Sequence, residues 1–429
     1  MAKKAHDIRF LLYSINYAPE LTGIGKYNGE MAEWLVESGS RVDVVCSQPH
    51  YPEWKVHKGY SKYLYRRSIE NGVNVTRCPT YIPSHPHVIK RLVHLVSFAL
   101  SSSISIFGKF FRKPDVVFVV QPTLFCAPIA LIFGKLVGAR TVLHIQDYEI
   151  DAMFGLGMAK SSNMSVKLRL AKMVEKFIMR RFDVVSTISH SMIRKARDKG
   201  VDPNKLIYFP NWTNTNNISP YISGELFRQK WGVNNNQKMI VYAGNIGAKQ
   251  GLEILIQAAE QLSDMNLKIF IVGEGAHSNR LKRIVAEKNI TNLEFKSLVP
   301  LAYLPSMLAA ADVHVVIQRK GAADVVMPSK LTNILAAGGH AVVTACQDTE
   351  LGRIAESNPG LYCLAKPEDS DDLVKAICKQ LDVCESQPIN NTARAYAEKY
   401  IEQSKVLERF KRDVILNSKT SNQGLLSKT

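Results

Sequence analysis

The sequence has no C-x-x-C pair, and its seven cysteines are odd in number and scattered from Cys46 to Cys384. That pattern excludes a disulfide framework and the common cysteine–histidine zinc modules, and it fits a reducing compartment. A P-loop, an H-E-x-x-H helix and a G-x-S-x-G elbow are also missing. P-loop phosphoryl transfer, zincin proteolysis and serine hydrolysis therefore have no carrier. No period of 20–50 residues recurs, which removes solenoids. Neither a zinc finger, an RNP-like aromatic motif nor a basic tail speaks for nucleic acid. Residues 1–7 are short and polar, not a signal peptide, and the first apolar run, 8–15, has the length of one strand.

What is there reads as ordinary globular protein. The chain has 429 residues, 46% hydrophobic and 22% charged, enough for two domains. Its net charge of +17 is lopsided. Residues 1–210 hold 30 Lys and Arg against 16 Asp and Glu, and residues 211–429 hold 25 against 22. A basic first half suggests an anionic surface, such as a membrane or a phosphorylated lipid, with plain solubility as the alternative.

Short β-branched runs at 9–15, 41–46, 116–120, 141–145 and 184–188 alternate with helical patterns at 26–38, 128–137, 166–181 and 190–199. The alternation predicts a parallel sheet covered on both faces. A polar, Asn-rich stretch follows Pro210, and then the alternation restarts with strands at 239–243, 268–272, 293–296, 313–317 and 341–344. The expected domains are 1–210 and 211–395, then one helix over 396–416 and a frayed tail over 417–429. Residues 92–108 carry no full charge and are flanked by basic residues. They fall short of the roughly 20 apolar residues that span a bilayer, so an in-plane helix and a buried helix both stay open.

In open α/β sheets ligands sit beyond the carboxyl ends of the strands. After the first strand come Gly23, Gly25 and Lys26, almost a dinucleotide fingerprint, but Asn28 replaces the third glycine. A glycine pair at a helix start suits a phosphate; a plain loop is the alternative. His144 and Asp147 lie at the end of another strand, where they could orient a sugar hydroxyl or manage a proton, or where the His could be satisfied in the core. The second domain opens with Gly244, Asn245, Gly247 and Lys249 between strand and helix, which suits a diphosphate. Gly273, Glu274 and Gly275 follow the next strand and allow close approach of a ligand. Asp324, Ser329, Lys330, Leu331 and Asn333 then lead into a helix with Ala336-Ala337-Gly338-Gly339. The one D-x-D, Asp369-Ser370-Asp371, sits at a helix start and reads as a cap.

Together these runs resemble glycosyltransferase family 4, the retaining enzymes with two Rossmann-like domains of the GT-B fold. Residues 17–27, HIQDYEIDAM at 144–153, FPNW at 209–212, GNIGAKQGLE at 244–253 and KGAADVVMPSKLTNILAAGG at 320–339 look like its colanic-acid-biosynthesis branch. The resemblance implies a nucleotide sugar held by the second domain and an acceptor held by the first, with the reaction in the cleft between them. It implies that the Gly23 and Gly25 loop lies against the donor phosphates and that the last helix packs back on the first domain. It implies no cofactor and no metal, with Lys249 and Lys330 standing in. Asn245 and Gln250 stand where the wider family has basic residues, and Val325 and Asn333 stand where it has two glutamates; Asp324 is the candidate replacement.

The expected reaction moves a sugar from a nucleoside-diphosphate donor to a polyprenyl-diphosphate-linked saccharide in exopolysaccharide assembly, with retention. His144 and Asp147 would orient substrates, and Lys249 and Lys330 would stabilise the leaving diphosphate. The branch suggests GDP-fucose as donor, and the expected location is the cytoplasmic face of an anionic inner membrane. A sugar-nucleotide epimerase of the same fold and a non-catalytic scaffold of the polysaccharide assembly machinery are the alternatives.

Overall fold

The two runs of alternation form two separate sheets. The computed structural model describes residues 8–21, 23–84, 87–121, 124–148, 162–320 and 328–415. The chain divides between Phe209 and Pro210; the first unit also takes the chain from Leu407 onward, and the second ends at Val406.

In the first unit the strands are β1 (Arg9–Tyr13), β2 (Arg41–Ser47), β3 (Arg66–Glu70), β4 (Val73–Cys78), β5 (Val116–Gln121), β6 (Arg140–Ile145), β7 (Val184–Thr187) and β8 (Leu206–Tyr208). They lie in the order β3-β4-β2-β1-β5-β6-β7-β8, and only β3 and β4 pair antiparallel. The helices are α1 (Gly23–Glu37), α2 (Val88–Phe107), α3 (Ala127–Val137), α4 (Ser162–Met179) and α5 (His190–Asp198). β1 to β2 steps one way along the sheet, whereas β4 to β5, β5 to β6 and β6 to β7 step the other way. Right-handed crossovers therefore put α1 on one face and α2, α3 and α4 on the opposite face. The edge-to-face contact of Phe107 and Phe133 at 6.0 Å joins α2 to α3 on that side.

The central strands are apolar throughout, as β5 shows: all six of its residues are buried, because helices cover both of its faces. The polar run Arg66–Glu70 carries no such signal and was not expected as a strand. It is an edge strand, with Ile69 open to solvent, folded back from β4 through Asn71 and Gly72. Both turn residues have positive φ (48° and 79°), which an Asn-Gly pair accommodates. That dipeptide was the available clue.

In the second unit the strands are β9 (Lys238–Ala243), β10 (Leu267–Val272), β11 (Leu293–Lys296), β12 (Val313–Val316), β13 (Ala341–Thr344) and β14 (Cys363–Ala365), in the order β11-β10-β9-β12-β13-β14 and all parallel. The helices are α6 (Glu225–Lys230), α7 (Glu253–Gln261), α8 (Ser278–Glu287), α9 (Leu304–Ala310), α10 (Ser329–Ala336), α11 (Glu350–Ser357), α12 (Ser370–Ser386) and α13 (Asn391–Tyr396); α14 (Gln403–Ile415) starts in this unit and, from Leu407, belongs to the first. Along β10 the side chains alternate between two cores: Phe270 and Val272 join one, Ile269 and Ile271 the other. Asp369 caps α12 by accepting the amide of Asp372 at 2.9 Å, so the D-x-D serves the helix start.

The expected single helix over 396–416 is broken. Ala397–Ile401 forms a π-helical turn, and Glu402 is extended, where it bridges Thr213. Arg394 explains why the second unit runs past residue 395. Its guanidinium donates to the carbonyls of Thr215, Ile218 and Ala336 at 2.7–3.0 Å, which ties α13 into that unit. Within the first unit Phe410 stacks on Phe209 at 3.9 Å, and Lys411 donates to Ser38 Oγ at 2.8 Å.

Candidate functional site

In the second unit, Gly244 ends β9 at φ 151° and Gly273 ends β10 at φ 150°, a backbone region that side chains rarely enter. A Cβ on Gly273 would lie 2.0 Å from the Gly244 carbonyl oxygen, and one on Gly275 would lie 2.2 Å from that of Ile246. The two loops are zipped together: Gly244 N donates to Val272 O and Ile246 N to Glu274 O, both at 2.9 Å. The close approach expected at Gly273 and Gly275 is thus to the neighbouring loop, and Glu274 points to solvent between them. Gly247 N donates to Gln250 Oε1 at 3.2 Å, so Gln250 fills with a neutral acceptor the space that phosphate was expected to take.

Lys330 is the cation at this edge. It follows Ser329 in the first turn of α10, its side chain half-buried and its Nζ 3.9 Å from the centroid of the Tyr242 ring. A Cβ on Gly244 would sit 3.4 Å from both Lys330 Nζ and the Tyr242 hydroxyl, so glycine leaves room for the ammonium. Burial pushes Lys330 down to about 7. Tyr242, fixed by a 2.7 Å hydrogen bond from its hydroxyl to the Asn245 carbonyl, keeps its proton because burial raises its pKa. Among the described residues Lys330 has no ion pair. A cation held over an aromatic face and short of anions is poised to take one.

Around Lys330 the residues sort by exposure. Lys249, Asn245 and Ser329 are exposed. Asn333 accepts from Thr213 Oγ1 through Oδ1 at 2.8 Å, which leaves its amide N–H groups as the end available to a ligand. Leu331, expected to touch substrate, is instead a fully buried core residue, because one position along a helix turns a side chain about 100°. Asp324 and Val325 lie outside the described residues.

The corresponding edge of the first unit is built around an anion. Glu20 is 2% exposed; its Oε1 accepts the amides of His50 and Tyr51, each at 3.0 Å, and its Oε2 accepts from Asn16 Nδ2 at 2.9 Å. A Cβ on Gly25 would lie 2.6 Å from Glu20 Oε2, so Gly25 is needed to seat that carboxylate. Asn28 ties α1 to the end of β1 through bonds to Ser14 Oγ and Asn16 O, both 2.9 Å. Gly23, at φ 61°, opens α1, and Lys26 faces Glu30 at 3.7 Å.

His144 is 2% exposed and stacks on Phe118 with centroids 5.5 Å apart. Its Nε2 accepts from Gln146 Nε2 at 2.9 Å, which makes Nδ1 the protonated nitrogen, donating to Ser186 Oγ at 3.0 Å. Burial pushes its pKa down to about 3. A ring with both nitrogens engaged and no access to water exchanges no proton near neutrality, so the expected proton role gives way to a packing one. Asp147, two residues past the strand, is half-buried.

The Glycosyl transferase 4-like domain family matches residues 22–212, and the Glycosyl transferases group 1 family matches residues 224–399. Over 410 residues the chain is 45% identical to the colanic acid biosynthesis glycosyl transferase WcaI of Escherichia coli (strain K12), covering 95% of this chain and 100% of that relative. The chain belongs to this glycosyltransferase family. Its fold is GT-B, two Rossmann-like parallel-sheet domains. Sucrose-phosphate synthase from Thermosynechococcus elongatus superposes with a TM-score of 0.68 at 16% identity, over 94% of this chain and 97% of that one. The Anabaena protein HepE in complex with UDP-glucose gives 0.64 at 14% identity, over 94% and 98%.

This glycosyltransferase therefore has a carboxyl edge with a poised cation in its second domain and one with a built-in anion in its first. Among its described residues no group of three or more His, Cys, Asp or Glu is arranged to hold a metal ion. Three residues at these edges carried no signal of their own. Tyr242 read as strand core, Thr213 as linker and Gln250 as a departure from the family pattern. Tertiary contacts alone give them partners.

Proposed function

We propose that this glycosyltransferase moves a sugar from a nucleoside-diphosphate donor to a polyprenyl-diphosphate-linked saccharide in exopolysaccharide biosynthesis of the colanic-acid kind. Transfer retains the anomeric configuration and takes place at the cytoplasmic face of an anionic membrane. The observation that carries the reading is Lys330, half-buried over Tyr242 beside the glycine that ends β9 and without an ion pair among the described residues. A diphosphate arriving there raises the lysine pKa again, so binding takes up a proton.

In the proposed step the bond from the anomeric carbon to the diphosphate oxygen breaks, and the acceptor hydroxyl bonds to the same face of that carbon. The hydroxyl proton passes to the departing phosphate, and Lys330 with Lys249 offsets the charge that grows there. Asn333, with Oδ1 held by Thr213, offers its amide to a donor hydroxyl, and Ser329 and Asn245 line the phosphate approach. In the first domain Lys26 and the strand-end residue Asp147 serve the acceptor, and Gly23 and Gly25 shape their loop around Glu20. No metal enters this scheme. GDP-fucose is the donor the resemblance favours.

A panel of labelled nucleotide sugars, incubated with lipid-linked glucose or galactose acceptors, tests the reading. Transfer from one donor to lipid is expected. Conversion of free nucleotide sugar without acceptor would replace it with an epimerase, and absent nucleotide binding by calorimetry would replace it with a scaffold.

A further inference from the structure

The long helix α2 of the first domain is apolar on its outer face as well as on its inner one. His94, Leu95, Phe98 and Ile106 of α2 are buried against the sheet and its neighbours. On the outer face Ile89, Leu92, Val93, Leu100, Ile104 and Phe107 are exposed, a stripe at helical spacing that runs the length of the helix. Beyond the helix Phe111 is 90% exposed, and on α3 Ile132 and Leu136 are exposed as well. α4, on the same side of the sheet, repeats the pattern with Leu170, Met173, Val174 and Phe177.

The charges around this surface have one sign. Residues 87–113 and 124–140 contain seven Lys and Arg and no Asp or Glu. Asp43 of β2 pairs with Lys109 and Arg112, which leaves Lys90, Lys113 and Lys135 without ion pairs among the described residues. On α4 the one acid within 169–181, Glu175, is buried against Lys199.

We propose that the α2–α3 face, extended by α4, docks in plane on an anionic lipid bilayer, with the exposed stripe of α2 among the acyl chains and Phe111 as a wedge. Exposed apolar surface of this extent marks an interaction site, and apolar insertion joined to basic charge is the two-signal pattern of peripheral membrane binding. A second copy of the chain is the poorer occupant, since pairing this face with itself sets cations against cations. A spanning helix does not fit, because Phe98 and Ile106 are buried in the domain core. α2 begins at the carboxyl edge of the sheet and runs back along it, so docking lays the strands parallel to the bilayer. The loops around Glu20 and His50 then sit at headgroup level, where a membrane-held diphosphate is presented. The choice of a lipid-linked acceptor rests on the proposed function; the docking itself does not.

The test is flotation of the full chain with phosphatidylethanolamine–phosphatidylglycerol vesicles against pure phosphatidylcholine vesicles. Binding to the anionic vesicles alone, weakened by salt, is expected. The double variant I104E/F111E should lower partitioning at least about tenfold, and K113E/K135E at least about fivefold, with one basic residue near an anionic surface worth roughly that factor. All four positions are exposed, and thermal melts should match the parent. Transfer to a short-chain, water-soluble acceptor should be unchanged in both variants. Equal flotation of I104E/F111E and parent would overturn the proposal, as would a parent dimer that this variant dissolves without loss of flotation. Flotation as expected with no transfer to any acceptor would instead sink the functional reading and leave the docking face standing.

Discussion

The two domains are built on the same plan and charged in opposite ways at the place that matters. At the carboxyl edge of the first, a glycine (Gly25) makes room for a buried carboxylate, Glu20, whose bonds to His50, Tyr51 and Asn16 hold two loops together. At the edge of the second, a glycine (Gly244) makes room for an ammonium, Lys330, seated on an aromatic ring. A glycine-rich strand end thus says that something must come close, not what. In one domain the anion is already supplied by the chain. In the other, a cation has no ion pair among the described residues, the difference on which the proposed phosphate site rests. Their outer surfaces differ as well: the first domain shows apolar stripes along α2 and α4, whereas the exposed apolar residues of the second, such as Leu226, Met265, Leu298 and Leu301, form no stripe along one helix.

The contrast breaks most sharply at Lys330. Lys330→Ala should lower turnover by about tenfold to a thousandfold, on the scale of one preorganised charge-stabilising group. Lys330→Met should lose activity equally yet raise Tm in a thermal melt near neutral pH, because a half-buried cation whose pKa is lowered disfavours the folded state at pH values below the pKa of free lysine. Donor affinity of the parent should weaken as pH rises above about 7, the value for Lys330, and Lys330→Arg should flatten that dependence in a calorimetric titration. An activity that survives Lys330→Ala would erase the distinction between the two edges.

Gly273→Ala comes next. With the Gly244 carbonyl oxygen 2.0 Å from the new Cβ and φ at 150°, it should destabilise by about 3 kcal/mol in chemical denaturation. Nucleotide affinity should fall with it, because the zipped loops shape the β9 edge. Glu20→Gln should lower stability by about 1–2 kcal/mol, since its amide would face Asn16 donor to donor. Calorimetric nucleotide binding by the second domain should not change, and a loss there would show that the edges are not separate in function.

The smallest effect concerns acid. His144, His94 and His314 are pushed by burial down to about 3, about 4 and about 4. Their unfolded forms bind a proton below about 6.5, so their contribution to stability is complete above that pH and is lost as pH falls toward these values. His144→Phe should flatten the acid limb of the stability profile by about one proton while leaving the activity profile near neutrality in place. A shifted activity profile would restore His144 to the chemistry.

Much of this was legible along the chain. Buried parallel strands announce themselves as β-branched runs, and the glycines at 244, 247, 273 and 275 mark strand ends by local geometry. The elements that escaped notice were short, polar or at an edge: β3, β8 and β14 carry part-exposed residues, and β4, though buried, breaks its apolar run with Asn74, Thr76 and Arg77. The break between α13 and α14 escaped for a different reason. It is imposed by Thr213, far away in sequence, pairing with Glu402.

By itself the sequence determined the class of fold, the family, the division near residue 210 and the loops that reach the strand ends, because each rests on periodicity or on residues adjacent in the chain. The tertiary structure alone decided what those loops do. Whether a glycine faces a carboxylate, a neighbouring carbonyl or an ammonium depends on packing: the amides of His50 and Tyr51 fix Glu20 against Gly25, and separate elements bring Gly273 and Lys330 to Gly244. So does the burial that holds His144 neutral and brings Lys330 near 7. Spacing along a chain predicts where a strand ends, and only packing in three dimensions sets the charge of what is found there.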